Sequence, residues 1–149
     1  MWLQFILLMP VLIRAVFTDI KTGRIENRLM LTAITGGLAV DYYIGGTGYV
    51  LQGLKMAVLM TGVLFVLFLV KGLGAGDIKL LSAVGIFMPE QAVRITVAAF
   101  IMAGLLSLAR IIYRAIKRDQ ILVPGETIHF SVPILLSVCV TACMAARLG

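Results

Sequence analysis

The chain has 149 residues, 61% of them hydrophobic and 13% charged, with a mean hydropathy of +1.08. That composition excludes a water-soluble domain, which needs more polar surface, and the continuous apolar runs exclude a β-barrel, whose strands alternate. The net charge of +6 reads as the Lys/Arg excess of cytoplasmic loops in a polytopic helical membrane protein, and not as a nucleic-acid surface.

Six apolar segments follow one another, at about 2–17, 28–44, 50–70, 78–88, 92–112 and 128–147. Short connections join them, and neither a composition shift nor an internal repeat divides them. The expectation is one membrane-embedded domain over 1–149, an all-α bundle of about six transmembrane helices. The first segment has no basic flank or small-residue cleavage site before Arg14, so it reads as a retained helix, not a cleaved signal. It runs into FTDIKTGRIENRL, with Asp19 at its end. Segments two and three meet at GGTGY (45–49), a Gly-rich turn with Tyr43 and Tyr49 beside it. KGLGAGDIKL (71–80) then opens the fourth segment.

That fourth segment is short. Eleven residues rise only about 16 Å as a helix, against roughly 30 Å of bilayer core. Charge nevertheless argues that it crosses. With the N-terminus outside, Arg14, Lys21, Arg24, Arg28, Lys71, Lys79, Arg110, Arg114, Lys117 and Arg118 all lie inside, and only Lys55, Arg94 and Arg147 lie outside. Ten against three fixes the orientation, and a fourth segment that turned back would reverse it for the 110–118 cluster. A crossing brings Gly74–Asp77 to membrane depth or thins the bilayer locally. Cys139 and Cys143 share a face of the last segment and read as packing residues; with no CxxC pair, no zinc site is expected.

Seven acids remain: Asp19, Glu26, Asp41, Asp77, Glu90, Asp119 and Glu126. Asp77 closes GAGD and is equally a helix N-cap before Ile78 or an acid presented at membrane depth, where ionisable groups mark function. The glycines do not make a dinucleotide or phosphate loop, because a membrane helix precedes them and no Walker lysine follows. Asp19 alone reads as a loop carboxylate paired with Lys21 or Arg24. Topology puts it on the same side as Asp77, however. Two adjacent carboxyls cannot both ionise easily, which supplies one acid and one base for activating water at a peptide carbonyl. Asp41 and Glu90 fall on the outer side, and Asp119 in a basic loop.

On these residues the chain resembles a type IV prepilin peptidase, a membrane aspartic protease of the GxGD class, in a short TadV/CpaA-like form that serves tight-adherence (Flp) pili. The resemblance rests on Asp19 with RIEN at 24–27, on Gly74-Ala75-Gly76-Asp77 followed by Ile78-Lys79-Leu80, and on HFSVP at 129–133. It departs at Glu26, where the family commonly has proline, and in the missing cysteine-bearing cytoplasmic domain. It implies Asp19 and Asp77 as the catalytic pair and no cofactor or metal. The implied substrate is a type IV prepilin, a short basic leader followed by an apolar helix, cut at the cytoplasmic face of the prokaryotic inner membrane without N-methylation. Gly74 and Gly76 would let the substrate backbone lie close, Lys79 would tune Asp77, touch substrate or anchor the helix, and Asn27 would bond the loop around Asp19. Glu126 is read as a loop acid or a contact for the leader, and His129 as a packing or interfacial residue. Two other readings stand beside this one: a non-catalytic membrane subunit of a pilus or secretion assembly, and a small ion-coupled transporter.

Overall fold

A computed structural model describes residues 2–117 and 130–148 of the chain. Those residues form five helices and no strand: α1 (Trp2–Thr22), α2 (Asn27–Leu69), α3 (Ala75–Phe87), α4 (Ala92–Lys117) and α5 (Ser131–Leu148). The expected count of about six is corrected to five, because the second and third apolar segments are the two arms of α2. The expectations for Asp119, Glu126 and His129 lie outside the described residues.

Local chemistry sets the helix ends. α1 stops one turn after Asp19, where Gly23 takes φ +64° and its N–H donates to the Asp19 carbonyl at 2.8 Å. A side chain resists that left-handed conformation, so glycine terminates the helix. α2 begins after Glu26, whose φ of −64° and ψ of 130° are extended. It runs 43 residues but breaks at Gly45 and Gly46, the latter at φ 64°, ψ −152°, a region open in practice only to glycine. The break reverses the chain. A Cβ on Gly53 of the second arm would stand 2.6 Å from Asp41 Oδ2 of the first, whereas twelve residues of straight helix would separate them by about 18 Å.

α3 sits at the centre and packs against every other helix. Apolar residues surround it beyond its first turn, and the run from Leu80 to Met88 is buried throughout, as expected of a helix that is apolar all round. Small residues bring the helices close. Gly37 faces Ile86 and Phe87, and Gly85 faces Met56 and Ala57. Ser82 donates to the Ile78 carbonyl at 2.8 Å and meets the Thr61 hydroxyl at 2.7 Å, so its polar group is satisfied inside the core. α3 starts three residues earlier than the apolar segment suggests, and its 13 residues still rise only about 20 Å.

Among the described residues, three helices are long and apolar enough to cross a membrane, over Leu3–Thr22, Asn27–Leu69 and Ala92–Lys117, with a shorter apolar helix at Ser131–Met144. Their outward faces carry exposed apolar side chains such as Phe17, Val58, Ile101 and Ile116. A helical membrane protein needs such a surface against lipid.

Candidate active site

The C-terminal end of α1 and the N-terminal end of α3 meet at one end of the bundle. Asp19 and Asp77 both line two cavities there, which also share Gly23 and Gly74. The larger, of about 1030 Å³, extends between the end of α2 and α4 along Phe68, Leu69, Phe100, Ala103 and Gly104. The smaller, of about 400 Å³, is walled by Arg24, Ile25, Asn27 and Lys79. Two aspartates thus border common space, apolar on one side and polar on the other.

Asp77 is not the N-cap of its helix. Gly74 holds that place, with extended φ −78° and ψ 149°, and its carbonyl accepts the N–H groups of Asp77 and Ile78 at 3.2 and 3.3 Å. The cap reading of Asp77 is corrected accordingly: it lies in the first turn of α3. A carboxylate there faces the positive end of the helix dipole. Its side chain curls back over the cap, so that a Cβ on Gly74 would come within 2.9 Å of Asp77 Oδ2.

The second glycine is matched to a different neighbour. A Cβ on Gly76 would stand 3.2 Å from Cγ1 of Ile25, the isoleucine of the RIEN loop. Here the space left by both glycines is taken by the chain's own Asp77 carboxylate and Ile25 side chain. Lys79 Nζ donates to Asn27 Oδ1 at 2.8 Å, a bond that ties the start of α2 to the first turns of α3. The two polar residues singled out beside the acids therefore meet each other. Glu26 lies 3.9 Å from Arg14 in an exposed pair, worth little to stability.

One site residue was absent from the sequence reading. Ser131, the first residue of α5, is fully buried and donates its hydroxyl to Asp19 Oδ2 at 2.6 Å. A hydrogen bond to a carboxylate at that length is strong and directional, and it orients Asp19. Phe130, next to it, packs on Phe100 with ring centroids 5.1 Å apart, which fixes the start of α5 against α4. Pro133 stands in the first turn of α5, where a missing N–H costs nothing. HFSVP was singled out as a stretch, but nothing local in it marks the serine as the partner of an acid 112 residues away.

A profile of the type IV leader peptidase family matches residues 6–109. The chain belongs to that family. No curated protein and no solved structure matches it. Membership makes this chain a peptidase, a hydrolase of peptide bonds, with prepilin-type substrates as the family's general class. The matched region of this leader peptidase takes in Asp19, the GAGD turn and the cavity wall on α4, and it ends before Ser131. Among the described residues no group of three or more His, Cys, Asp and Glu could hold a metal ion.

Proposed function

We propose that the protein is a membrane aspartic endopeptidase that removes the short basic leader of type IV prepilins of the Flp, tight-adherence kind. Asp19 and Asp77 carry the chemistry with one water. The observation that supports this most is the shared lining: both aspartates line the same two cavities, at one end of the bundle. One carboxylate takes a proton from water as its oxygen attacks the scissile carbonyl. The other carboxyl, protonated, hydrogen-bonds the carbonyl oxygen as charge develops there. Collapse of the tetrahedral intermediate breaks the C–N bond, and the departing amine leaves with a proton from the pair. No covalent intermediate is needed.

The remaining residues shape this site. Ser131 holds Asp19 in one orientation, and Gly74 gives the Asp77 carboxylate its place above the helix start. Gly76 seats Ile25, and the Lys79–Asn27 bond holds the two helix starts together. The larger cavity has apolar walls suited to the first turns of a substrate helix, and the polar cavity beside it suits the extended segment ahead of that helix. We place this end of the bundle at the cytoplasmic face of the inner membrane, with the N-terminus outside, from the ten-to-three distribution of Lys and Arg.

Coexpression with a prepilin, followed by mass spectrometry of the pilin, tests the reading. The wild type shortens the pilin by its leader, and Asp19→Asn and Asp77→Asn each leave it full length while still inserting into the membrane. Unimpaired processing by either variant refutes the paired-aspartate mechanism.

A further inference from the structure

At the opposite end of the bundle lies a third aspartate that the proposed chemistry does not use. Asp41, in the first arm of α2, is 0% exposed. Its Oδ1 accepts a hydrogen bond from Gln4 Nε2 of α1 at 2.9 Å. Its Oδ2 is buried without a hydrogen-bond partner among the described residues. The surroundings of Oδ2 explain why that matters. The point where a Gly53 Cβ would sit lies 2.6 Å from Asp41 Oδ2 and 3.1 Å from the Ile86 carbonyl oxygen. Ile86 stands in the last turn of α3, where helix carbonyls have no intrahelical donor to accept from.

We propose that Asp41 is a buried proton-binding site: a neutral carboxylic acid that accepts from Gln4 through Oδ1 and donates its Oδ2 hydrogen to the Ile86 carbonyl. An ionised carboxylate there would face the negative end of the α3 dipole with no cation paired to it among the described residues. A proton on Oδ2 supplies a donor where an ionised carboxylate offers only a second acceptor, and gives the orphaned Oδ2 a partner. A metal ion fits less well. It would require several oxygen ligands, whereas the neighbouring polar side chain, Gln4, presents its N–H₂ to Asp41. The acid nearest this end is Glu90, which lines a small cavity with Gln4, Tyr49 and Gln91.

The bonded acid links three helices. Gln4 belongs to α1, Asp41 and Gly53 to the two arms of α2, and Ile86 to α3. Since α1 carries Asp19 and α3 carries Asp77, the link is a positioning device for the acid pair, a consequence that rests on the function proposed above. The proton itself does not.

Infrared difference spectroscopy of the purified protein, wild type minus Asp41→Asn, tests the proposal without any substrate. The wild type should show a carboxylic-acid C=O stretch that the variant lacks, and Gln4→Met should shift that band upward by removing a hydrogen bond from Oδ1. Asn is a neutral mimic that can accept from Gln4 and donate to Ile86, so Asp41→Asn should fold with an unchanged thermal midpoint. Gly53→Ala, which drives a methyl into Oδ2, should lower the midpoint and displace the band. Absence of the band overturns the proposal, as does failure of Asp41→Asn to fold. So does a midpoint raised by sodium or calcium in the wild type and not in Asp41→Asn, the mark of a bound metal ion.

Discussion

Ser131 and the two glycines of GAGD make separable predictions at the scale of single residues. Ser131→Ala removes a hydrogen bond to a carboxylate, worth roughly 1.5–3 kcal/mol, and should lower the rate of leader removal about tenfold or more, since 1.4 kcal/mol is one decade. Ser131→Thr, which keeps the hydroxyl, should recover part of it. Steady-state cleavage of a prepilin by the purified variants measures both. Gly74→Ala brings a methyl within 2.9 Å of Asp77 Oδ2, whereas Gly76→Ala presses on Ile25 at 3.2 Å. The first displaces a carboxyl group of the proposed acid pair, where a shift of an ångström costs about a hundredfold in rate. The second displaces an apolar side chain that can give by a few tenths of an ångström. Gly74→Ala should therefore be much the more damaging in the same assay.

That Asp77 and Asp19 lie at one end of the bundle was legible, because the GAGD turn follows a membrane helix and helix parity puts Asp19 on the same side. Ser131 was not, since its partner is remote in the chain. The cap alternative for Asp77 fails for a physical reason: a glycine caps through backbone geometry alone and leaves no side-chain signature, while aspartate is a favoured cap and stands closer to the apolar run. Asp41 reads as an outer-side acid, but its burial is not legible, because nothing around it in the sequence reveals that Gly53 returns beside it.

Among the elements, the end of α2 is informative. The Gly72 N–H donates to the Leu67 carbonyl and the Lys71 N–H to the Phe68 carbonyl, each at 2.9 Å, which is a Schellman ending. Its left-handed position is held by Lys71, at φ 58°, where glycine is the usual occupant. Lys71→Gly should raise the thermal midpoint, by up to about 1 kcal/mol of stability, as differential scanning fluorimetry in detergent would measure. Lys71 also lines the larger cavity. The merging of two expected segments into α2 has a comparably local origin. GGTGY reads as a five-residue loop, but Gly46 reverses the chain in so small a space that helical bonding resumes at once.

For the whole molecule, the sequence carried the class, the segment order and the end at which the acids gather, because hydropathy and charge act over long stretches. It did not carry the central place of α3, which depends on small residues of other helices meeting it. The orientation can be tested in cells with single cysteines, in a background lacking Cys139 and Cys143. A cysteine at Thr47 should react with an impermeant maleimide added from outside, and one at Thr22 only after the membrane is opened. The reverse pattern would remove the acids from the cytoplasmic face.

The most direct test of the central claim compares three variants for prepilin cleavage: Asp19→Asn, Asp77→Asn and the two combined. Groups that act as one unit are not additive, so each single change should cost as much as both together. A single variant that keeps substantial activity, with a further loss only in the double, would contradict the acid pair.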